Sequence, residues 1–399
     1  MNSSTREMQL LKWGIITLLL LPAYNFYLNG IVQFLLGGSS ISAVSYILMA
    51  LIGVWSYFLF AKYKHGKENF LFVLLLLGTL LAYLLYPDIR SALLASSYNP
   101  LDSQALMLFL YCVPAMFISS KVHRWEDIFN IVSRLSMALI PIAIFSYWVQ
   151  IRTLGVLEIN YMSISTFLVL PICAVCSYGY INKKWYPFIF AIVGIIFIFV
   201  CGSRGALVCS LVGFIFSIFR YFRKSNIVYK ILMAIVIISA IFYFGQSFIR
   251  SAGYAVESGL GRGRTLMKLE EGSFFESDGR EEINQVINAG IRDNPFGYGL
   301  FGDRHIMVKG GLPPSYCHNI IKEFICDYGI VVGTFLLIYL IYMMYKTTKR
   351  TKDRYAIEIM VMVICSGVLT LLTSGTYLTD IMFWSMVGIM INPYVKLNK

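Results

Sequence analysis

Charge is the scarcest thing in this chain. Asp, Glu, Lys and Arg make up 14% of its 399 residues, where a soluble domain carries about a quarter. That shortage excludes a water-facing fold of this length. Histidine is rarer still, with four rings, His65, His123, His305 and His318. Patterns for a metal centre are missing: there is no Asp-x-Asp, no His-x-x-x-His and no Cys/His quartet. A Walker loop and a Gly-x-Ser-x-Gly elbow are absent too. Nor do the eight cysteines form a disulfide framework. Cys112, Cys173, Cys176, Cys201, Cys209 and Cys365 lie in apolar segments, and Cys326 lies in a helix. Cys317 reads as more exposed, with no second loop cysteine to pair with. Any chemistry is therefore expected to be cation-driven and metal-free, with no cofactor.

Apolar residues are abundant instead, at 58%. Runs near 20 residues recur from end to end, each long enough to cross a hydrocarbon core about 30 Å thick. The expected fold is an all-α polytopic membrane protein of about twelve transmembrane helices. They fall near 11–36, 42–61, 69–86, 104–118, 128–149, 160–180, 186–201, 204–219, 228–249, 320–345, 355–373 and 376–392. Met1–Lys12 leads straight into the first of these, which is expected to serve as an uncleaved anchor.

A net charge of +12 suggests a nucleic-acid partner, but its distribution does not. Alternate loops hold Lys62, Lys64 and Lys67; Lys121 and Arg124; Lys183 and Lys184; Arg220, Arg223, Lys224 and Lys230; and Lys346, Lys349, Arg350, Lys352 and Arg354. The intervening short loops carry only Arg90, Arg152 and Arg204. This is the positive-inside bias, with both termini cytoplasmic and the bilayer, rather than nucleic acid, as the partner.

Three regions follow: helices over 1–249, one large non-cytoplasmic loop over 250–316, and further helices over 317–399. In the loop, Ile283, Val286, Ile287, Gly290 and Ile291 recur at helical spacing, predicting a short amphipathic helix on the membrane or on the bundle. Asp293-Asn294-Pro295 stops it, and Gly297-Tyr298-Gly299 predicts a tight turn.

Candidate chemistry sits at the outer edge. Arg204, in Gly202-Ser203-Arg204-Gly205-Ala206, opens an apolar helix whose free N–H groups favour an anion, so it reads as an interfacial anchor or a phosphate seat. Arg280 lies in the first turn of the amphipathic helix, against the helix dipole, which suits a solvated loop charge or a ligand contact. Arg262, Arg264, Arg292, Arg304 and Lys309 are further loop cations that fit a hydrated surface. His318-Asn319 closes the loop just before an apolar helix. Its ring fits a base, an acceptor-orienting group or a hydrogen-bonded structural residue. Glu323 and Asp327, four apart, follow it into that helix.

Taken together, these motifs carry a resemblance. Gly202-Ser203-Arg204-Gly205-Ala206, then Gly279-Arg280 with Asn294-Pro295-Phe296-Gly297-Tyr298-Gly299, then His318-Asn319 with Tyr328-Gly329 and Gly333, resemble the O-antigen ligase and polymerase family of bacterial membrane glycosyltransferases. The likeness is strongest over about 190–345. It implies a bundle like that of the GT-C glycosyltransferases, in the bacterial cytoplasmic membrane with the site facing outward. It implies a donor glycan on undecaprenyl pyrophosphate, and no metal. It also implies a chain-length regulator and a flippase as partners. Arg204, Arg280 and His318 take the places of the family's essential residues, and Asn319, Arg292, Arg304 and Tyr298 are expected to help bind pyrophosphate or glycan. One departure is visible: relatives carry an aromatic a few residues after the loop arginine, where this chain has Ile283 and Asn284. The expected activity is repeat-unit polymerisation by inverting displacement. Alternatives are ligation of finished glycan to lipid A core or another acceptor, and transport of a lipid-linked glycan.

Overall fold

A computed structural model describes residues 3–35, 42–62, 66–94, 103–154, 161–201, 203–223 and 280–396, with 239 and 243. The expected span 228–249 therefore lies outside the described residues apart from those two positions. So do Gly202, Arg262, Arg264 and Asp278. Among the described residues all regular structure is helical.

The helices are α1 (Ser3–Leu35), α2 (Ser42–Lys62), α3 (Lys67–Leu85), α4 (Gln104–Lys121), α5 (Trp125–Leu154), α6 (Tyr161–Asn182), α7 (Tyr186–Cys201) and α8 (Arg204–Tyr221). After the undescribed stretch come α9 (Arg280–Asp293), α10 (Gly302–Lys309), α11 (Ile320–Arg350), α12 (Arg354–Leu371) and α13 (Ile381–Ile391). Eight of the described helices contain a stretch long and apolar enough to cross a membrane. Ile47–Phe58, Tyr186–Cys201 and Ile381–Ile391 are shorter apolar pieces.

Burial orders these helices. The apolar stretch of α6 is 78% buried and that of α3 only 17%, so α6 is the central post and α3 a peripheral, lipid-facing one. α6 packs against α5, α7 and α8, α1 lies along α5, and α4 lies along α13. Buried serines such as Ser133, Ser165, Ser177 and Ser210 stud these contacts. Small side chains let helix backbones approach where no hydrophobic force draws them together. α4 and α12 each contain one π-helical turn, at Leu108–Cys112 and Ile364–Val368.

The described parts of the basic loops gather at one end. Lys121 pairs with Glu68 at 3.1 Å, and the ring of His123 packs on Tyr394 near the C-terminus. A cavity of about 300 Å³ there joins Met8 and Lys12 of α1 to His123 and Arg124. Tyr355 donates to Glu126 at 2.9 Å. Arg220, at the far end of α8 from Arg204, lies 2.5 Å from Glu358. Sixteen residues of helix separate those two arginines by roughly 24 Å.

One expected span is not a single helix. α11 breaks at Gly329, whose φ of 80° and ψ of 168° are not helical. The bend is sharp enough that a Cβ on Gly333 would lie 2.6 Å from the Phe324 carbonyl oxygen. The Ile320–Tyr328 half is a separate short helix, and 330–350, about 30 Å long, is the part long enough to cross a membrane. The cause is a backbone-to-backbone contact: Tyr298 N–H donates to the Cys326 carbonyl at 2.7 Å, Gly299 N–H to Asp327 at 2.9 Å, and Ile330 N–H to Pro295 at 2.9 Å. Two expected motifs, Asn294–Gly299 and Tyr328-Gly329, thus interlock through their main chains.

Candidate active site

The end of the bundle away from the basic loops is organised around the turn after α12. Thr373 and Ser374 both donate their N–H groups to the Thr370 carbonyl, at 2.9 and 2.8 Å. Gly375, with φ of 94°, reverses the chain. This turn meets both arginines singled out in the sequence. Arg280 donates from Nη1 to the Thr373 carbonyl at 2.7 Å. Next to Arg204, a Cβ on Gly205 would come within 2.9 Å of the Thr373 Cβ and closer still to its hydroxyl. Arg204 is the first residue of α8, after a Ser203 whose side chain makes no capping hydrogen bond. The leading N–H groups of α8 therefore gain no partner from that hydroxyl, and such groups attract anions.

The amphipathic helix is α9, and its resting place is settled. Ile287 and Gly290 are its buried residues. They pack with Ile306 and Met307 of α10 and with Cys317 and Cys326 in a small apolar core of their own. α9 therefore lies on α10 and the upper half of α11. Lys322 ties it down, donating to Asn284 at 2.7 Å.

His318 enters this site in a rare backbone state, with φ of 56°. Non-glycine residues seldom adopt left-handed φ, and it persists where neighbours over-determine it. On one side the Cys317 N–H is held by Asp303 Oδ2 at 3.0 Å. On the other, Asn319 caps α11, accepting from Ile321 N–H at 2.9 Å and Lys322 N–H at 3.3 Å. The His318 ring leans on Tyr316, with centroids 4.4 Å apart. Its Nδ1 is shielded from solvent and has no hydrogen-bond partner among the described residues. Burial pushes the imidazole below its ordinary pKa, Arg280 pushes the same way, and Asp303 opposes them. The ring is thereby biased toward the neutral form that accepts a proton.

Beneath this surface lies a charged knot. Arg304 is completely buried. Its Nε donates to Gln104 at 2.9 Å, Nη1 to Asp303 at 2.5 Å and Glu323 at 2.9 Å, and Nη2 to Thr376 at 2.7 Å. Thr376 in turn donates to Glu323, whose other oxygen accepts from Tyr377 N–H at 3.1 Å. Asp327 accepts from the Tyr377 hydroxyl at 2.6 Å and from Gly302 N–H at 3.0 Å. Cys317 is buried as well, contrary to the exposure expected for it, because the Asp303 bond draws its backbone inward.

The structure thus brings Arg280, His318 and Asn319 together, with Arg204 opening the helix on the far side of the Thr373 turn. Arg304 stands behind them with every guanidinium nitrogen engaged inside the protein. Arg292 is exposed, about 18 Å along α9 from Arg280 at the helical rise. Tyr298 is spent on framework bonds, its hydroxyl donating to Gly290 at 3.3 Å and its carbonyl accepting from Tyr86 at 2.5 Å. Thr373, Asp303, Thr376 and Tyr377 were not anticipated. Only Glu323 and Asp327, one turn apart on an apolar helix, signalled a buried partner, since paired carboxylates near lipid need a cation.

Residues 188–338 match the family model described as O-antigen ligase. Neither a curated protein nor a solved structure matches the chain.

Proposed function

We propose that this chain, which carries an O-antigen ligase domain over residues 188–338, is a bacterial membrane glycosyltransferase of the lipid-pyrophosphate-dependent kind. Its reaction is polymerisation of polysaccharide repeat units. An acceptor hydroxyl attacks the anomeric carbon of the donor glycan, the new glycosidic bond forms, and the bond to pyrophosphate breaks with its electron pair leaving on the phosphate oxygen. Arg204, Arg280 and the start of α8 take up that growing negative charge, and the His318 imidazole takes the hydroxyl proton.

The observation that carries this reading is the convergence of Arg280 and the Arg204-Gly205 corner on one turn at Thr373. Planar guanidiniums suit bidentate phosphate contacts. The carboxylates nearest His318 support a single inverting displacement. Asp303 and Glu323 are fully buried, Asp327 nearly so, and all three are bonded within the protein. None is free to serve as a glycosyl nucleophile.

The clustering of the basic loops and both chain ends opposite this site supports termini in the cytoplasm and a site on the outer face. The family description favours a second reading, ligation of finished glycan to a terminal acceptor. Transport has weaker support. A broken helix and buried charges are features expected of transporters, but here the charged groups are bonded to one another inside the knot rather than lining a path.

Two measurements test the reading. Purified protein in detergent, given lipid-linked repeat unit, should lengthen it with no sealed membrane present; absence of transfer under saturating substrate overturns the enzyme assignment. Deleting the gene separates the two enzymes: surface glycan reduced to single repeats marks a polymerase, and accumulation of long lipid-linked polymer marks a ligase.

A further inference from the structure

Asp303 touches both the histidine loop and the charged knot. Its Oδ2 accepts from the Cys317 N–H, one residue before His318, at 3.0 Å. Its Oδ1 accepts from the Arg304 N–H at 3.0 Å and from Arg304 Nη1 at 2.5 Å. Arg304 continues to Thr376, three residues after the carbonyl on which Arg280 docks. A continuous chain therefore runs from the histidine loop through Asp303, Arg304 and Thr376 to the turn that seats the donor-side arginine. No bond in it is exposed to water, as Asp303 and Arg304 both have zero exposure.

The left-handed His318 makes this chain consequential. Its backbone sits where a side chain rarely sits, so a small release of Cys317 would let it relax and carry the ring away. The knot also holds three carboxylates, Asp303, Glu323 and Asp327, against one guanidinium. Ion count alone does not require Asp303, because Glu323 already pairs with Arg304 at 2.9 Å.

We infer that Asp303 is a positioning residue for His318, and that the Asp303–Arg304 pair fixes the separation between the imidazole and Arg280. The inference rests on the reading that His318 serves transfer. Asp303 acts in two ways, by holding the Cys317 N–H and by presenting a negative charge to the ring. Among the described residues, Arg280 at the start of α9 also acts on the ring, and Tyr316 and Cys317 stand beside it in the same loop. Lys322 on α11 is engaged with Asn284, and Arg204 opens α8 beyond the Thr373 turn. Substituting Asp303 leaves the chemistry of all of these unchanged.

The test compares Asp303→Asn, Asp303→Ala and His318→Ala in the full-length purified protein, by transfer kinetics across pH and by NMR titration of labelled histidine. Asp303→Asn keeps an oxygen for the Cys317 N–H and loses the charge. Its amide NH2 then faces the two Arg304 donors that Asp303 Oδ1 accepts from, so kcat should fall, by less than in Asp303→Ala, while the acid limb of kcat and the His318 titration both move to lower pH. Asp303→Ala loses the clamp as well, and kcat should drop about a hundred-fold, the usual effect of misplacing a catalytic group by an ångström, with KM for the lipid donor little changed. A merely structural role would lower the yield of folded protein in both variants without moving the His318 titration. If that titration is the same in Asp303→Asn and wild type, the inference is overturned, and since NMR reads it without turnover, the result holds whatever the activity. Full transfer by His318→Ala would instead sink the functional reading.

Discussion

Arg280 donates from Nη1 to the main-chain carbonyl of Thr373 across 2.7 Å, joining the first turn of α9 to a chain reversal 93 residues later. Gly205, beside Arg204, abuts the same threonine. The Thr373 turn thus lies against the starts of both α9 and α8.

Replacing either arginine with lysine keeps the charge and removes the planar fork. Arg204→Lys and Arg280→Lys are expected to insert normally and to lose transfer by about a hundred- to a thousand-fold, the usual effect of deleting one oxyanion donor. Steady-state rates on lipid-linked oligosaccharide measure it. Near-wild-type turnover in both variants would remove the arginines from the leaving-group role.

The closeness of Gly205 to Thr373 predicts a compensating pair. Gly205→Ala places a methyl 2.9 Å from the Thr373 Cβ and must push the turn, and Arg280 with it. Its transfer rate should fall at least ten-fold. Adding Thr373→Gly removes the obstructing side chain and keeps the carbonyl that Arg280 needs, so the double variant should recover a large part of the loss. Neighbours in contact are where such non-additivity is expected. Simple additivity of the two changes would show that the arginines do not depend on this contact.

Much of this arrangement was legible in the sequence, for definite physical reasons. A bilayer demands about 20 apolar residues per crossing, so the membrane class was plain. Stray cations beside glycines stood out against that background, and His318-Asn319 marked the end of the polar loop just before α11. Arg304 was not legible. Its neighbours Gly302, Asp303 and His305 read as a hydrated loop, and only the folded chain shows Gln104, Glu323 and Thr376 surrounding it. Nor was Thr373, because what it offers is a carbonyl oxygen, which every residue has. The break at Gly329 was hidden because the segment before it and the apolar stretch after it read together as one helix of membrane-crossing length.

His318 predicts a pH dependence of definite sign. Burial, then Arg280, hold its folded-state pKa below the ordinary value, and Asp303 only partly offsets them. Between that lowered value and about 6.5, the ordinary histidine pKa, the unfolded chain binds more protons than the folded one. Stability from this group therefore rises with pH through the window and is lost as pH falls through it. His318→Asn should melt with less acid sensitivity than wild type between neutral pH and pH about 5. Arg280→Gln should raise the His318 titration seen by NMR. A downward or absent shift in Arg280→Gln would mean that the two side chains do not face each other.

The interlock at Gly297 and Gly329 carries the last prediction, on stability rather than chemistry. Both residues have left-handed φ, 85° and 80°. A Cβ on Gly297 would lie 2.4 Å from the Gly329 nitrogen, and one on Gly329 would lie 2.5 Å from the Phe296 carbonyl carbon. These obstacles are backbone, which no rotamer change can relieve. Left-handed φ costs a non-glycine residue roughly 1–2 kcal/mol, and overpacking adds roughly 1–3 kcal/mol. Each single alanine should thus destabilise by about 2–5 kcal/mol, enough to cut the yield of monodisperse protein and lower its melting temperature. Gly299 is the internal control: its φ is 81° but no atom lies within 4 Å of its added Cβ. Gly299→Ala should carry the conformational cost alone and fall well short of the other two. Equal melting temperatures for all three alanine variants would mean that strain, and not the main-chain contact across the break, is what these glycines relieve.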